Sequence, residues 1–351
     1  MNLLSQNRSY GFSHFTRYAN LEILRLLSNT NSVSIIIPNN DISGIAANQS
    51  IADEWLRKNV LPYYPNTMIR YLLVGNEVLS YNSEQGHQMW RDHVPSMLRI
   101  ERSLRAQNIR DIKVGTPLAM DVLQSTFPLS SGVFRSDVRD IMMAPMLKFL
   151  DRTKSFFFID VYPYFPWLQN PFNISLDFAL FRGNSSSISD LGSGLVYTNL
   201  LDQMLDSLIF VMAKLGYPNI NLVICKTGWP NSGDGEELGA NASNAATYNR
   251  NLIQRMTTKP PIGTPARPRV TITTFIFSLF GENEKPGPGT ERHWGLLHPD
   301  GTPIYEIDLT GKQPMTDSAA LPASNNTPYK GKVLCAATRE PNKTELRENC
   351  T

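Results

Sequence analysis

The sequence has 351 residues, of which 41% are hydrophobic and 18% are charged, with a formal net charge of +2 at pH 7. This composition excludes a disordered polymer and is typical of a chain that buries a sizeable core, as two ordinary domains or as one large α/β barrel. The charges are mixed, without a long run of one sign, so nucleic-acid binding is not indicated.

Several special classes of protein are excluded by what the sequence lacks. No run of eighteen or more apolar residues is present, so no membrane span is expected. Residues 1–20 lack a basic region followed by an apolar one, so no secretory signal is predicted. The three cysteines, Cys225, Cys335 and Cys350, exclude a disulfide framework and leave room for one terminal bridge. The five histidines lack metal-ligand spacing and no phosphate-binding motif occurs, so no metal and no cofactor are predicted.

Short apolar runs alternate along the chain with amphipathic helical stretches. The runs are VSIII, YLLVG, IKVGT, FFFIDV, LVIC and TTFIFSLF, at residues 33–37, 71–75, 112–116, 156–161, 222–225 and 273–280. Such continuous runs are typical of parallel strands covered on both faces. Apolar residues at helical spacing predict helices within 90–104, 201–212 and 245–256, the last capped by Ser243. This alternation predicts a parallel sheet, in a barrel or doubly wound, with function at the carboxyl ends of its strands.

Polar and aromatic residues follow four of these strands. They are Asn76 and Glu77 after the second, Tyr162, Tyr164 and Trp167 after the fourth, Lys226 and Trp229 after the fifth, and Glu282 and Lys285 after the sixth. Aromatic faces with carboxylates and amides suit a sugar, whose C–H faces stack on rings and whose hydroxyls need donors and acceptors. We therefore expect a carbohydrate site at one rim of the sheet.

Each of these residues also has a purely structural interpretation. Glu77 could be an ordinary ion-pair partner, one of the two tyrosines could belong to the core, and Glu282 with Lys285 could be a solvated surface pair. Cys225 precedes Lys226 on an alternating strand, so we expect it to face the covering helices as a small buried hydrophobe and not as a nucleophile.

Long motifs of the sequence carry a resemblance to a known family. YLLVGNEVLS, DVYPYFPW, TGWPNSGDGEELGANASNAATYNRNLI and SLFGENEKPGPGTERHWGLLHPDGTPIYEIDL resemble plant family 17 glycoside hydrolases, the glucan endo-1,3-β-glucosidases. The resemblance implies a (β/α)₈ TIM-type barrel with a long open cleft and retaining hydrolysis of β-1,3-glucan such as callose or laminarin. It also implies an extracellular or cell-wall location. We expect a monomer whose partner is the polysaccharide.

The resemblance also predicts how the chain is divided. The barrel is expected over residues 21–311, with a divergent segment at 1–20 in place of the first βα unit, so that the barrel would be incomplete there. Residues 312–351 are expected to form a linker and the remnant of a cysteine-rich carbohydrate-binding module.

The family's functional residues map onto this chain with one departure. Glu77 matches the general acid/base, and Asn76 matches the amide that contacts the sugar 2-hydroxyl. The family nucleophile is a glutamate directly before TGWP, and this chain has Lys226 there. The remaining matches are supporting polar residues and cleft-lining rings: Glu282, Lys285 and Glu291, and Tyr162, Tyr164, Trp229 and Phe280.

The lysine leaves two hypotheses for the function. Retaining hydrolysis needs two carboxyl groups about 5 to 5.5 Å apart, one of which attacks the anomeric carbon. An ammonium has no lone pair for that attack, and a cation near Glu77 lowers the pKa of the required acid. The chain is either an endo-1,3-β-glucosidase, as similarity alone suggests, or a catalytically inactive glucan-binding relative in which Lys226 pairs with Glu77 or Glu282. Position 226 favours the second.

Overall fold

The computed structural model of the chain describes residues 12–14, 33–183 and 187–309. For residues 12–14 it describes the backbone alone. The predicted linker and module remnant at 312–351, with Cys335 and Cys350, lie outside the described residues.

Parallel strands form the centre of the fold. They are β1 (Phe12–His14), β2 (Val33–Ile37), β3 (Ile69–Val74), β4 (Lys113–Gly115), β5 (Pro117–Ala119), β6 (Phe157–Asp160), β7 (Leu222–Thr227) and β8 (Thr273–Ile276). The hydrogen-bonded orders are β1-β2-β3-β4 and β5-β6-β7-β8, and every pair is parallel. Thr116 alone separates β4 from β5, so both sheets share one continuous strand. Neighbours in space are therefore neighbours in sequence, which is the order of a barrel and not of a doubly wound sheet.

All six predicted strands are present. If β4 and β5 are counted as one strand, β1 is a seventh strand, which the sequence did not indicate. Within the described residues no pairing joins β1 to β8, so closure of the barrel is not seen there. The loops between the parallel strands contain short antiparallel strand pairs. They are Leu123–Ser125 with Val133–Phe134, Ile188–Ser189 with Val196–Tyr197, and Gly263–Thr264 with Arg267–Pro268.

Helices connect the strands and cover their outer face. They are α1 (Ile42–Ala47), α2 (Gln49–Asn59), α3 (Glu84–Ala106), α4 (Ser136–Val138), α5 (Ala144–Thr153), α6 (Tyr164–Gln169), α7 (Leu176–Ala179), α8 (Leu200–Lys214) and α9 (Ala242–Thr257). The predicted cap Ser243 is wrong: the cap lies two residues earlier, at Asn241, whose side chain accepts a hydrogen bond from Asn244 N at 2.9 Å. No helix in the described ranges has both the length and the apolar character needed to cross a membrane.

Two apolar clusters lie on the two faces of the strands. The larger one joins outward strand residues, such as Ile35, Leu72 and Ile224, to the helices. The smaller one contains only strand residues, Ile36, Leu73, Phe158, Val223, Cys225 and Phe275, and fills the inner face. The prediction that Cys225 faces the helices is therefore wrong, although it is a buried hydrophobe whose thiol pKa is raised by burial.

A β-bulge in β7 explains why Lys226, which follows the inward-facing Cys225, also lies on the inner side. Ile224 pairs with Ile159, and Lys226 pairs with Asp160, so β7 has one more residue than β6 between the same two pairings. The extra residue changes the alternation, and both Cys225 and Lys226 lie on the inner side. Without the bulge, strict alternation would direct Lys226 towards the helices.

His93 gives a testable property of the core. It lies on α3 with 0% exposure, and neither ring nitrogen has a hydrogen-bond partner. Burial lowers the pKa of His93 to about 3, so the folded protein holds the neutral ring where the unfolded chain binds a proton. The stabilisation is present above the unfolded pKa, about 6.5, and is lost as the pH falls from there towards 3.

We expect the free energy of unfolding to fall by about 2 kcal/mol more between pH 6.5 and 4.5 in the natural chain than in His93→Phe. Urea unfolding at pH 4.5, 5.5 and 6.5 measures both slopes. Equal slopes for the two proteins would show that His93 binds a proton as readily in the folded protein as in the unfolded chain.

Candidate active site

The segment after β3 has an unusual backbone. Gly75 has φ 71°, and Glu77, which is not a glycine, has φ 47°. Glu77 N donates to Pro117 O at 2.9 Å, which fixes the segment to the neighbouring strand β5. Left-handed backbone at a non-glycine residue is uncommon and concentrates at functional sites. This conformation directs the side chains of Asn76 and Glu77 towards the end of β7.

Lys226 lies at the centre of the site. Its Nζ donates to Asp160 Oδ2 at 2.7 Å, Asn76 Oδ1 at 2.8 Å and Glu77 Oε1 at 3.4 Å. An ammonium has three N–H donors, so these three acceptors satisfy it. The side chain of Lys226 is 10% exposed and that of Asp160 is 1% exposed, so the ion pair between them is buried.

Asp160 is the residue that the sequence analysis missed. It ends β6 inside the apolar run FFFIDV, opposite Lys226 in the strand register. A carboxylate in such a run is as unexpected as a lysine at the end of LVIC, because a buried charge requires a partner. The expected partners of Lys226 were Glu77 or Glu282. Glu77 is one of them, but the shortest contact is with Asp160.

The charges of the cluster set its protonation. Burial disfavours the ammonium of Lys226, but the carboxylates of Asp160 and Glu77 outweigh burial and raise its pKa above the usual value. Burial alone would raise the pKa of Glu77, and the Lys226 charge reverses this, so that the pKa of Glu77 is lowered. Burial raises the pKa of Asp160, and the contact with Lys226 opposes that rise. The site therefore contains a permanent cation beside an ionised Glu77.

A second charged group follows β8. Lys285 Nζ lies 2.7 Å from Glu291 Oε2 and 3.8 Å from Glu282 Oε2, and 5.2 Å from the centre of the Phe277 ring. The side chains of Glu282 and Lys285 are 13% and 29% exposed, so they are not a solvated surface pair.

Tyr162 connects the two charged groups. Burial, together with the charges of Asp160, Glu77, Glu291 and Glu282, raises the pKa of its hydroxyl well above the usual value. The Tyr162 ring centre lies 6.5 Å from that of Phe277, and Lys285 Nζ lies 5.2 Å from the centre of the same Phe277 ring. The carboxyl ends of β3, β6 and β7 and the loop after β8 thus meet at one mouth.

The aromatic residues divide into core and cleft. Tyr164 and Trp229 are each 0% exposed, with ring centres 5.2 Å apart, and Trp229 Nε1 donates to Gly239 O at 2.8 Å. The prediction that these two rings stack on a sugar is therefore wrong, because both belong to the core. Phe280 is half-buried and lies four residues beyond the end of β8.

The accessible rings belong to a different set. Tyr162 is half-buried and contacts the rings of Phe165, Phe277 and Trp294, with centres 5.7, 6.5 and 4.9 Å away. Phe165 is 38% exposed and stands at the edge of this group. The sequence placed the right residue types after β6 but could not show which ring of YPYF turns outward.

Comparison with known proteins agrees with this architecture. Residues 13–309 match the family described as Glycosyl hydrolases family 17. The chain belongs to glycosyl hydrolase family 17. It is 58% identical to a protein named probable glucan endo-1,3-beta-glucosidase A6 from Arabidopsis thaliana, over 94% of this chain and 69% of that protein. It is 37% identical to glucan endo-1,3-beta-glucosidase 13 from the same plant, over 93% of this chain and 64% of that protein.

Two solved structures of plant proteins superpose on the chain. One is CJP38, a beta-1,3-glucanase and allergen of Cryptomeria japonica pollen, at 38% identity and a TM-score of 0.78, covering 85% of this chain and 89% of that one. Another is from a study of two plant beta-glucan endohydrolases, at 30% identity and a TM-score of 0.75, covering 85% of this chain and 90% of that one. The family 17 chain therefore has the (β/α)₈ architecture that its motifs predicted, and its site lies at the face where such barrels carry function.

Proposed function

We propose that this family 17 protein binds β-1,3-glucan without hydrolysing it by the retaining mechanism. One observation carries the proposal: the Lys226 ammonium stands beside Glu77 and is bound by Asp160, Asn76 and Glu77 itself. An ammonium cannot attack an anomeric carbon, so the covalent step has no nucleophile at this position.

Asp160 does not supply the missing nucleophile. Its side chain is 1% exposed and forms a 2.7 Å ion pair with Lys226. A carboxylate attacks only when it can approach the anomeric carbon, and this one is buried and bound to the lysine.

The acid step is impaired as well. A general acid must hold a proton near the working pH, whereas Lys226 lowers the pKa of Glu77. Lys226 therefore impairs both catalytic functions, the nucleophilic attack and the protonation of the leaving group. The competing hypothesis is an active endo-1,3-β-glucosidase. The names of the relatives support it, but the residue at position 226 does not.

Binding has separate support. Sugars stack on aromatic faces and need polar groups at their edges, and neither requirement involves a nucleophile. The rings of Tyr162 and Phe165 contact each other, with centres 5.7 Å apart, and the rings of Tyr162, Phe165 and Phe280 are accessible in part. The relatives named for endo-1,3-β-glucosidase activity indicate β-1,3-glucan as the ligand class. An extracellular or cell-wall location is part of the same proposal.

Calorimetric titration with laminaripentaose tests binding and cleavage on one sample. We expect saturable binding and, by chromatography after the titration, an intact pentasaccharide. A folded sample without saturable heat would refute glucan binding, and a cleaved pentasaccharide would refute the loss of hydrolysis.

Phe165 provides a sharper test of the binding surface. Phe165→Ala removes an exposed ring of the aromatic group, so we expect a loss of about 1 kcal/mol, or about fivefold in Kd for laminaripentaose. Leu98→Ala is the matched control, because Leu98 is also 38% exposed but lies on α3. Equal Kd values for Phe165→Ala and Leu98→Ala would exclude Phe165 from the binding surface.

A further inference from the structure

We propose that Asn39 is a positioning residue, whose side-chain amide holds the Asn76–Glu77 segment so that both side chains face Lys226. Asn39 lies directly after β2, at the start of a short 3₁₀ turn, Asn39–Asp41. The proposal concerns the geometry of the site and is independent of whether the cleft binds or cleaves glucan.

Two hydrogen bonds join Asn39 to one residue. Asn39 Oδ1 accepts from Asn76 N at 2.7 Å, and Asn39 Nδ2 donates to Asn76 O at 3.0 Å. A side-chain amide thus bonds both backbone groups of a residue 37 positions away in the sequence. The two bonds fix the orientation of Asn76 as a neighbouring strand would.

The amide continues the sheet where the backbones separate. Gly75 N donates to Ile37 O at 2.8 Å, as part of the contact between the ends of β2 and β3. One residue later, the side chain of Asn39 provides the partners for Asn76. Backbone N–H and C=O groups in a buried site need hydrogen-bond partners. The side chain of Asn39 provides them for Asn76, as a neighbouring strand would.

The segment needs this support because its conformation is unfavourable. Gly75 and Glu77, on either side of Asn76, both have positive φ angles. The left-handed conformation is sterically unfavourable for Glu77, because Glu77 has a Cβ atom. Gly75 also permits the close approach: a Cβ at this position would lie 2.9 Å from Asn39 Oδ1 and 2.8 Å from Ile42 Cδ1.

Through Asn76, the contact reaches the charged cluster. Asn76 Oδ1 accepts from Lys226 Nζ at 2.8 Å, and Glu77 Oε1 lies 3.4 Å from the same nitrogen. If Asn39 no longer fixed the segment, Lys226 would lose ordered acceptors while retaining Asp160. The amine would then become more accessible and lose part of the stabilisation of its charged form.

Acetylation of the folded protein with acetic anhydride measures this directly. The rate at Lys226, followed by mass spectrometry of its peptide, is divided by the rate at Lys154, whose side chain is 77% exposed. A charge-assisted hydrogen bond is worth enough that its loss should raise the normalised rate in Asn39→Ala by about tenfold. The matched control is Asn251→Ala, which removes a comparable side-chain bond, from Asn251 Nδ2 to Leu180 O at 2.8 Å, on helix α9 and not on the Asn76–Glu77 segment.

The outcomes separate positioning from general stabilisation. A tenfold rise in Asn39→Ala with no rise in Asn251→Ala supports the proposal. An unchanged rate in folded Asn39→Ala, or the same rise in both variants, overturns it.

Asn39→Asp decides the question if Asn39→Ala does not fold. This variant keeps an acceptor for Asn76 N but loses the donor to Asn76 O. Its added negative charge would by itself slow acetylation of Lys226, so a faster rate can come only from the lost donor and supports the proposal. A rate equal to or below that of the natural chain overturns it.

Discussion

Lys226→Glu combined with Asp160→Asn should bring β-1,3-glucan hydrolysis into this family 17 cleft, with a rate several orders of magnitude above that of the natural chain. The double change supplies a carboxylate at the nucleophile position and removes the cation that lowers the pKa of Glu77. Loss of a covalent catalyst costs on the order of 10³ to 10⁶ in rate, so its restoration is the largest effect expected from any substitution here.

The second substitution matters because of Asp160. Lys226→Glu alone would place three carboxyl groups together in a buried cluster, with no ammonium to balance them. Like charges at such distances force at least one group to take up a proton. We therefore expect the single variant to be slower than the double variant at neutral pH and to recover part of the difference at lower pH.

Reducing-sugar release from laminarin, measured from pH 4.5 to 7.5, compares the natural chain with both variants. Glu77→Gln in the double variant should abolish the gain, because it removes the acid. Laminaripentaose affinity shows that the cleft is intact in each protein. A double variant that binds but releases sugar no faster than Lys226→Glu would exclude Asp160 as an obstacle.

The buried ion pair between Lys226 and Asp160 should make a large contribution to the free energy of unfolding. Lys226→Met leaves the carboxylate of Asp160 without its ammonium, and Asp160→Leu removes the shortest ion-pair contact of Lys226. Removing one partner of a buried pair costs about 3–5 kcal/mol, whereas replacing both with apolar residues is often close to neutral. Each single variant should therefore be clearly less stable than the double variant.

Urea unfolding at pH 7 of the natural chain, the two single variants and the double variant gives the coupling free energy, which we expect to exceed about 3 kcal/mol because the double variant should cost less than either single variant. Lys154→Met is the control, since Lys154 and Asp151 form an exposed pair at 3.2 Å that should contribute little. Strictly additive effects of Lys226→Met and Asp160→Leu would contradict a stabilising contact between the two residues.

The strands were predictable because continuous apolar runs are a direct consequence of burial on both faces. VSIII became β2 without a change of bounds, and LVIC was extended to Thr227. β1 was not predictable, since FSH contains no apolar run and its assignment depends on backbone pairing with Val33, Ser34 and Ile35.

The site was predictable in its residue types and less so in its contacts. Strand ends placed Glu77, Asn76 and Lys226 at one rim, where they meet. The role of Asp160 depends on a bulge at Cys225, and a bulge has no signature in a simple alternation of apolar residues. The orientations of Tyr164 and Phe165, consecutive in α6, depend on packing against Trp229 and Trp294, which are distant in sequence.

The most direct test of the central claim is the initial rate of reducing-sugar release from laminarin by the natural chain, with Glu77→Gln measured beside it. With Lys226 at the nucleophile position, we predict that the two rates are equal and do not exceed the rate without protein. A rapid release by the natural chain that disappears in Glu77→Gln would contradict the account, because it would show that the site completes hydrolysis with a lysine at the position that the family resemblance assigns to the nucleophile.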